Sequence, residues 1–175
     1  MKTKKILQTP EELNQIAEEL LKPWTVSTKS PENDRLDVTI DAKDIQTCTK
    51  AIMDANWGYL SAITGLDNAE YEVIEGTTEK KAIPGKGSLE LLYHFCSGAA
   101  IVSLRTSLPY TKAQIDTICN IIPSASLYER ETAELFGIDF VGTPSTEHLL
   151  LPDDWPAEVY PLRKTFTGLE KKAKA

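Results

Sequence analysis

The first hydrophobic stripe along the chain has helical spacing. Leu13, Ile16, Ala17, Leu20 and Leu21 fall on one face, the 3.6-residue repeat of an amphipathic helix. Thr9-Pro10-Glu11-Glu12 supplies its start: a cap, a proline at the first helical position and a glutamate three residues after the cap. Pro23 predicts its end, because a proline pushes the residue before it out of the helical region. An extended stretch follows, in which Leu36, Val38 and Ile40 alternate with Asp37 and Thr39, the two-residue repeat of a half-buried strand. Asp41 and Asp44 then introduce a second helix with Ile45, Cys48, Ile52 and Ala55 inward and Gly58 as its stop.

The next stretch changes period. Tyr59 to Thr64 is a short apolar run, and Gly65-Leu66-Asp67-Asn68 has turn composition. Tyr71 to Ile74 predicts a strand, and residues 75–87, with their glycines, proline and charges, an exposed loop. Leu89–Cys96 and Ala100–Leu104 predict a hairpin around Ser97-Gly98. A third helix is expected over Ala113–Ile121, with Thr111 and Gln114 as its capping pair. A fourth is expected over Leu127–Phe136, capped by Ser126 with Glu129 and stopped by Gly137. Ile138–Val141 closes the pattern as a strand. The order indicates an α+β fold, with helices packed on a mainly antiparallel sheet.

From Gly142 the pattern is neither helical nor alternating. Pro144, Pro152, Pro156 and Pro161 break any regular helix or central strand. Yet the segment carries Leu149, Leu150, Leu151, Trp155, Val159, Tyr160, Leu162 and Phe166, too apolar for a disordered tail. The chain therefore divides into an α+β domain over 1–142 and an extended, proline-rich C-terminal arm over 143–175. The arm needs a surface, on its own domain or on a partner subunit. Arg163 and Lys164 offer oriented polar contacts there, Arg being suited to bidentate carboxylate pairing.

Composition narrows the function classes. The 175 residues carry 26 acidic and 19 basic side chains, a formal net charge of −7. That is the wrong sign for a nucleic-acid footprint. Met1–Lys5 is basic, but no long apolar run follows it as in a signal peptide. No run reaches the roughly 18 apolar residues of a membrane span, so no direct membrane insertion is expected. Cys48, Cys96 and Cys119 are widely spaced, against a zinc ribbon, a redox dithiol or a ferredoxin-type cluster. His94 and His148 form no H-x-x-x-H pair, and Gly85-Lys86-Gly87-Ser88 lacks the full phosphate-loop pattern.

Glu129, Arg130, Glu131 and Glu134 crowd one helix. Paired carboxylates can serve acid–base chemistry, which leaves a stand-alone enzyme using Glu129, Glu131 or His148 as a remote alternative. The plainer reading is favourable placement in a helix first turn plus an Arg130–Glu134 pair one turn apart. By residue type alone the chain shows no catalytic, cofactor-binding or metal-ligating constellation.

Two motifs carry a resemblance. The run from Tyr128 to Phe140, Y-E-R-E-T-A-E-L-F-G-I-D-F, and Leu151-Pro152-Asp153-Asp154-Trp155 followed by Pro161-Leu162-Arg163-Lys164 resemble the signature of the respiratory complex I 30-kDa subunit family of NADH-quinone oxidoreductases. The resemblance implies a non-catalytic subunit of the peripheral arm of an ion-translocating redox complex. Such a protein holds no cofactor of its own. It sits on the cytoplasmic face of the membrane beside iron-sulfur subunits and a hydrogenase-like large subunit, and those neighbours carry the clusters, FMN or a NiFe centre. The expected partner interface is Glu129, Arg130, Glu131, Phe136, Gly137, Trp155, Tyr160, Pro161, Leu162, Arg163, Lys164 and Phe166. Where the family usually follows its glycine with His-Pro and a basic pair, this chain has Thr143-Pro144 and Glu147-His148. The contacts of those basic residues are not carried over. The G-T-P form with L-P-D-D-W-P is similar to members from ferredoxin-linked, energy-converting [NiFe] hydrogenases, which makes the equivalent subunit there the alternative.

Overall fold

The computed structural model describes residues 8–169; Met1–Lys5 and residues 170–175 of the arm segment lie outside the described residues. Helix α1 is Pro10–Leu21. Its capping box forms in both directions, Glu12 N–H to Thr9 Oγ1 at 3.2 Å and Thr9 N–H to Glu12 Oε2 at 2.9 Å, so two of its orphan backbone donors are satisfied. A short 3₁₀ turn at Lys22–Trp24 leads into β1 (Thr25–Lys29) and β2 (Arg35–Ile40). Helix α2 spans Ile45–Asp54 after a 3₁₀ turn. It ends before Gly58, at Ala55, with Asn56 in the left-handed region. Gly58 instead admits a neighbouring strand, since a Cβ there would stand 2.2 Å from the Cys96 carbonyl oxygen.

The longest strands run where turns were expected. β3 is Tyr59–Val73 and β4 is Lys80–Ser97, joined at residues 74–79. Gly65-Leu66-Asp67-Asn68 is therefore strand, paired with Leu91 through Ser88, and the expected loop at 75–87 is mostly strand too. β5 is Ala100–Pro109, and the hairpin around Ser97-Gly98 forms, with Gly98 at φ 61°. The third helix does not form. A 3₁₀ turn at Tyr110–Lys112 precedes its residues, which begin with strand β6, Gln114–Asp116. Ile115 and Ile118 enter the core from this irregular segment, and Gln114–Asp116 pairs in parallel with β7, Asp139–Val141. Helix α3 is Ala125–Phe136.

The large sheet has the order β1-β2-β5-β4-β3. Its pairs are antiparallel except β2 with β5, which run parallel. Alternation sorts its two faces. Leu36 and Val38 of β2, Val102 and Leu104 of β5, and Leu91, Tyr93 and Phe95 of β4 are buried with Ala17, Leu21, Ile45, Cys48 and Ile52 of the helices in one cluster. Each such large side chain contributes roughly 1.5–3 kcal/mol. The opposite face carries a polar ladder. Arg105 reaches Asp37 at 2.8 Å and Glu90 at 2.7 Å, and His94 joins Ser103 at 2.9 Å to Thr64 at 3.0 Å. His94 is thus a satisfied sheet histidine. Burial lowers its pKa, helped by Arg35 and Arg105 and opposed by Asp37. The α+β class and the mainly antiparallel sheet hold.

Candidate functional site

Helix α3 packs on β3, with Phe136 and Thr132 close against Gly65. A Cβ on Gly65 would stand 2.6 Å from the Phe136 ring, so only a bare backbone admits that ring. The buried stripe of α3 is Ala125, Glu129, Thr132 and Phe136, a helical repeat in which two members are polar. Ser126 is not the cap and Glu129 is not its reciprocal partner. The N-cap position is Ser124, without a side-chain bond, and Glu129 points inward, with none of its surface exposed. Its carboxylate accepts from Thr117 Oγ1 at 2.5 Å, Ile118 N–H at 2.8 Å and Cys119 Sγ at 3.2 Å. A buried carboxylate is tolerable only when so bonded. It pins the irregular 117–119 segment that took the place of the expected helix. Burial raises the Cys119 pKa, and the bond to Glu129 adds to the rise, so this thiol is no activated nucleophile.

The outer face of α3 grips the arm. Arg130 and Glu134 do not pair with each other as their spacing suggests; each turns to a different backbone group. Arg130 donates to the carbonyls of Glu147 and His148 at 2.9 and 2.8 Å. Glu134 accepts the N–H groups of Leu149, Leu150 and Leu151 at 2.9, 2.7 and 3.4 Å, and pairs with His148 Nδ1 at 3.2 Å. Its side chain is only 5% exposed. Burial alone would raise the Glu134 pKa, but the backbone donors and His148 outweigh it, and the pKa falls below the ordinary value. Extended backbone cannot satisfy itself, so these two ions take the place of a sheet neighbour.

The C-terminal end of α3 holds the next stretch of arm. Gly137 takes the left-handed cap conformation, φ 69° and ψ 44°. The Tyr160 ring lies against it, where a Cβ would come within 2.4 Å. Leu162 N–H donates to the Leu135 carbonyl at 3.1 Å. Arg163 donates to the Phe136 and Gly137 carbonyls at 2.6 and 3.3 Å, which places a cation on the negative end of the helix. Its guanidinium also stacks over Tyr110 at 5.2 Å and Tyr160 at 4.6 Å. Asp67 completes the clamp by accepting from Lys164 N–H at 2.6 Å and from the Tyr110 hydroxyl. Burial and that carboxylate push the Tyr110 pKa well up. Farther along, Trp155 donates to the Val159 carbonyl at 2.7 Å and lies 6.4 Å from the half-buried Phe166 ring.

The expected interface residues thus divide. Glu129 and Phe136 belong to the core. Arg130, Gly137, Tyr160, Arg163 and the backbone of Lys164 hold the arm to its own domain. Trp155 and Phe166 face each other, and Pro161 is half-buried beside Tyr160. Glu131 and Leu162 stay exposed, as does Leu150 at 61%. Sequence reading missed Asp67 and Tyr110. They lie far from the arm along the chain, and Asp67 was hidden in an apparent turn. Among the described residues, Glu129, Glu131 and His148 are not hydrogen-bonded to one another: Glu129 bonds the 117–119 segment and His148 bonds Glu134. Among the described residues, no three His, Cys, Asp or Glu side chains converge as metal ligands, and no helix is long and apolar enough to cross a membrane.

The fold is an α+β domain whose last helix holds the chain's own C-terminal strap. Residues 38–172 match the family described as respiratory-chain NADH dehydrogenase, 30 Kd subunit. The chain belongs to that family. It is 36% identical to a subunit of the F(420)H(2) dehydrogenase of Methanosarcina mazei over 91 residues, 51% of this chain and 57% of that protein. It is 27% identical to formate hydrogenlyase subunit 5 of Escherichia coli over 135 residues, 75% of this chain but 21% of that one. The chain thus spans little more than half, or a fifth, of the length of these curated relatives. Among solved structures, a chain in the membrane-bound sulfane sulfur reductase (MBS), an archaeal respiratory membrane complex, superposes with a TM-score of 0.68 at 26% identity. That match covers 87% of this chain and 84% of that one.

Proposed function

We propose that this chain is a non-catalytic structural subunit in the peripheral arm of a complex I-type, ion-translocating redox complex. It holds a hydrogenase-like large subunit near the terminal iron-sulfur cluster, on the cytoplasmic face of the membrane. The clusters and any FMN or NiFe centre belong to its neighbours. The observation that carries this reading is the strap: its backbone is fixed by α3 and Asp67, while Leu149, Leu150 and Leu162 face outward. An irregular segment with bonded backbone and bare apolar side chains is built to be covered. Family membership supplies the context.

Affinity purification of the tagged full-length chain from detergent-solubilised host membranes is expected to bring down iron-sulfur and hydrogenase-like subunits. A chain recovered with none of them overturns the reading. Deleting residues from 143 onward is expected to abolish that recovery while the circular dichroism of the domain is kept; full recovery without the arm overturns the arm's role.

A second reading has support of its own. The likeness to formate hydrogenlyase subunit 5 covers more of this chain than the likeness to the F(420)H(2) dehydrogenase protein, and the Gly142-Thr143-Pro144 form points the same way. On this reading the same scaffold serves a ferredoxin-linked, energy-converting [NiFe] hydrogenase. If the large subunit that co-purifies carries nickel-binding cysteines, this second reading holds; their absence favours a quinone or related acceptor.

A further inference from the structure

Between α3, β3 and the arm lies a cleft of about 180 Å³. Ile63 and Phe136, each 8% exposed, form its floor. Gly65 leaves it open on the strand side. Leu135 and Leu162 line it, and Glu131 stands on its rim. Of the acidic side chains on α3, Glu129 is bound in the core and Glu134 holds the arm. Among the described residues, the exposed Glu131 makes neither an ion pair nor a hydrogen bond. Thr64 and Thr132 add polar atoms to the lining, and an apolar floor beside a carboxylate unpaired among the described residues has a definite complement.

Resting on the function proposed above, we infer that this cleft is the arm's specific contact with its neighbour. It takes a single large apolar side chain of the partner polypeptide, flanked by a Lys or Arg that pairs with Glu131. The occupant is a segment of the neighbouring subunit, because the cleft is continuous with the outward apolar side chains of the strap. One of its walls is Leu162, and that wall stands only while Leu162 N–H bonds Leu135 and Asp67 holds Lys164. The clamp therefore shapes the cleft before the partner arrives, which lowers the ordering cost of association. Asp67 is a positioning residue: it touches the strap and not the occupant.

The test uses the full-length chain in detergent-solubilised native complex. Glu131→Lys reverses the rim charge, and Leu162→Asp removes the apolar wall; both positions are exposed, so the fold is kept. Each is expected to lower the partner recovered per tagged chain about tenfold, the scale of one well-packed interface contact. Glu131→Asp is expected to retain recovery. Asp67→Asn is expected to lower recovery less than either, and to speed trypsin cleavage after Lys164, which a cleft contact alone would not do. A photo-crosslinking side chain at 162 is expected to join a neighbour's peptide with a Lys or Arg within about three residues of the modified site, the reach of one long side chain. Full recovery with both Glu131→Lys and Leu162→Asp overturns the cleft while leaving the scaffold reading intact. So does a crosslink to this chain itself or to a second copy. Failure of the wild-type chain to recover any redox protein overturns the scaffold reading first.

Discussion

The two acidic residues Glu129 and Glu134 sit on one helix, little more than a turn apart, and do opposite work. Glu129 faces inward and ties the 117–119 segment into the core. Glu134 faces outward and gathers three backbone N–H groups of the strap. The domain is held chiefly by apolar packing between sheet and helices, with one buried carboxylate in support. The strap packs through a few half-buried side chains, among them Tyr160 on Gly137 and Trp155 beside Phe166, and is held mainly by polar contacts to its backbone. What covers each carboxylate makes the difference. Glu129 is enclosed by the core itself, so it must be bonded for the fold to exist. Glu134, though its side chain is only 5% exposed, is covered by the strap it binds and meets water once the strap lifts.

The sharpest break of that contrast is Glu129→Ala. It leaves a buried N–H, hydroxyl and thiol unpaired beside a small void, and is expected to cost about 3–5 kcal/mol of global stability. Urea unfolding followed by circular dichroism reads this directly; a loss no larger than that of Glu134→Ala would erase the distinction. Glu134→Ala itself is expected to cost about 1–2 kcal/mol, confined to the strap. Amide exchange at Leu149, Leu150 and Leu151 should rise at least about tenfold with exchange in β4 and β5 unchanged. Equal acceleration in those central strands would show that strap and domain open together.

The smallest effect is that of pH. Because the folded-state pKa of Glu134 is lowered, its stabilisation of the strap is complete above the unfolded carboxyl value of about 4.3. That stabilisation is lost as pH falls through the lower folded value. Amide resonances of Leu149–Leu151 are expected to titrate below about pH 4.3, and to lose that titration in Glu134→Ala. A midpoint at or above the unfolded value contradicts the clamp. At neutral pH the clamp is fully set.

The legible parts of the sequence were those with local causes. The capping box at Thr9 and the alternation at Leu36–Ile40 read directly. So did the Ser97-Gly98 turn and the Gly137 stop, because each is decided within a few residues. Gly65-Leu66-Asp67-Asn68 misled because its glycine answers a distant ring and its aspartate a distant strap. The third helix failed for a similar reason: Ile115 and Ile118 are claimed by the core and by strand pairing with Asp139–Val141. On α3 the motif residues stood out, but not their directions, since a buried stripe containing Glu129 and Thr132 does not look apolar. Asp67 and Tyr110 had no local signal at all. Their roles arise only when the strap is laid across them.

The parallel pairing of β2 with β5 fixes an order of events as the polypeptide is made. β2 emerges early from the ribosome, yet its inner-sheet neighbour is Ala100–Pro109. α1 and α2 have no finished floor until that late strand arrives between β2 and β4. The amino-terminal half must therefore wait, its greasy faces open to chaperones, for a contact distant along the message. Translation stalled before residue 100 would strand it in that condition.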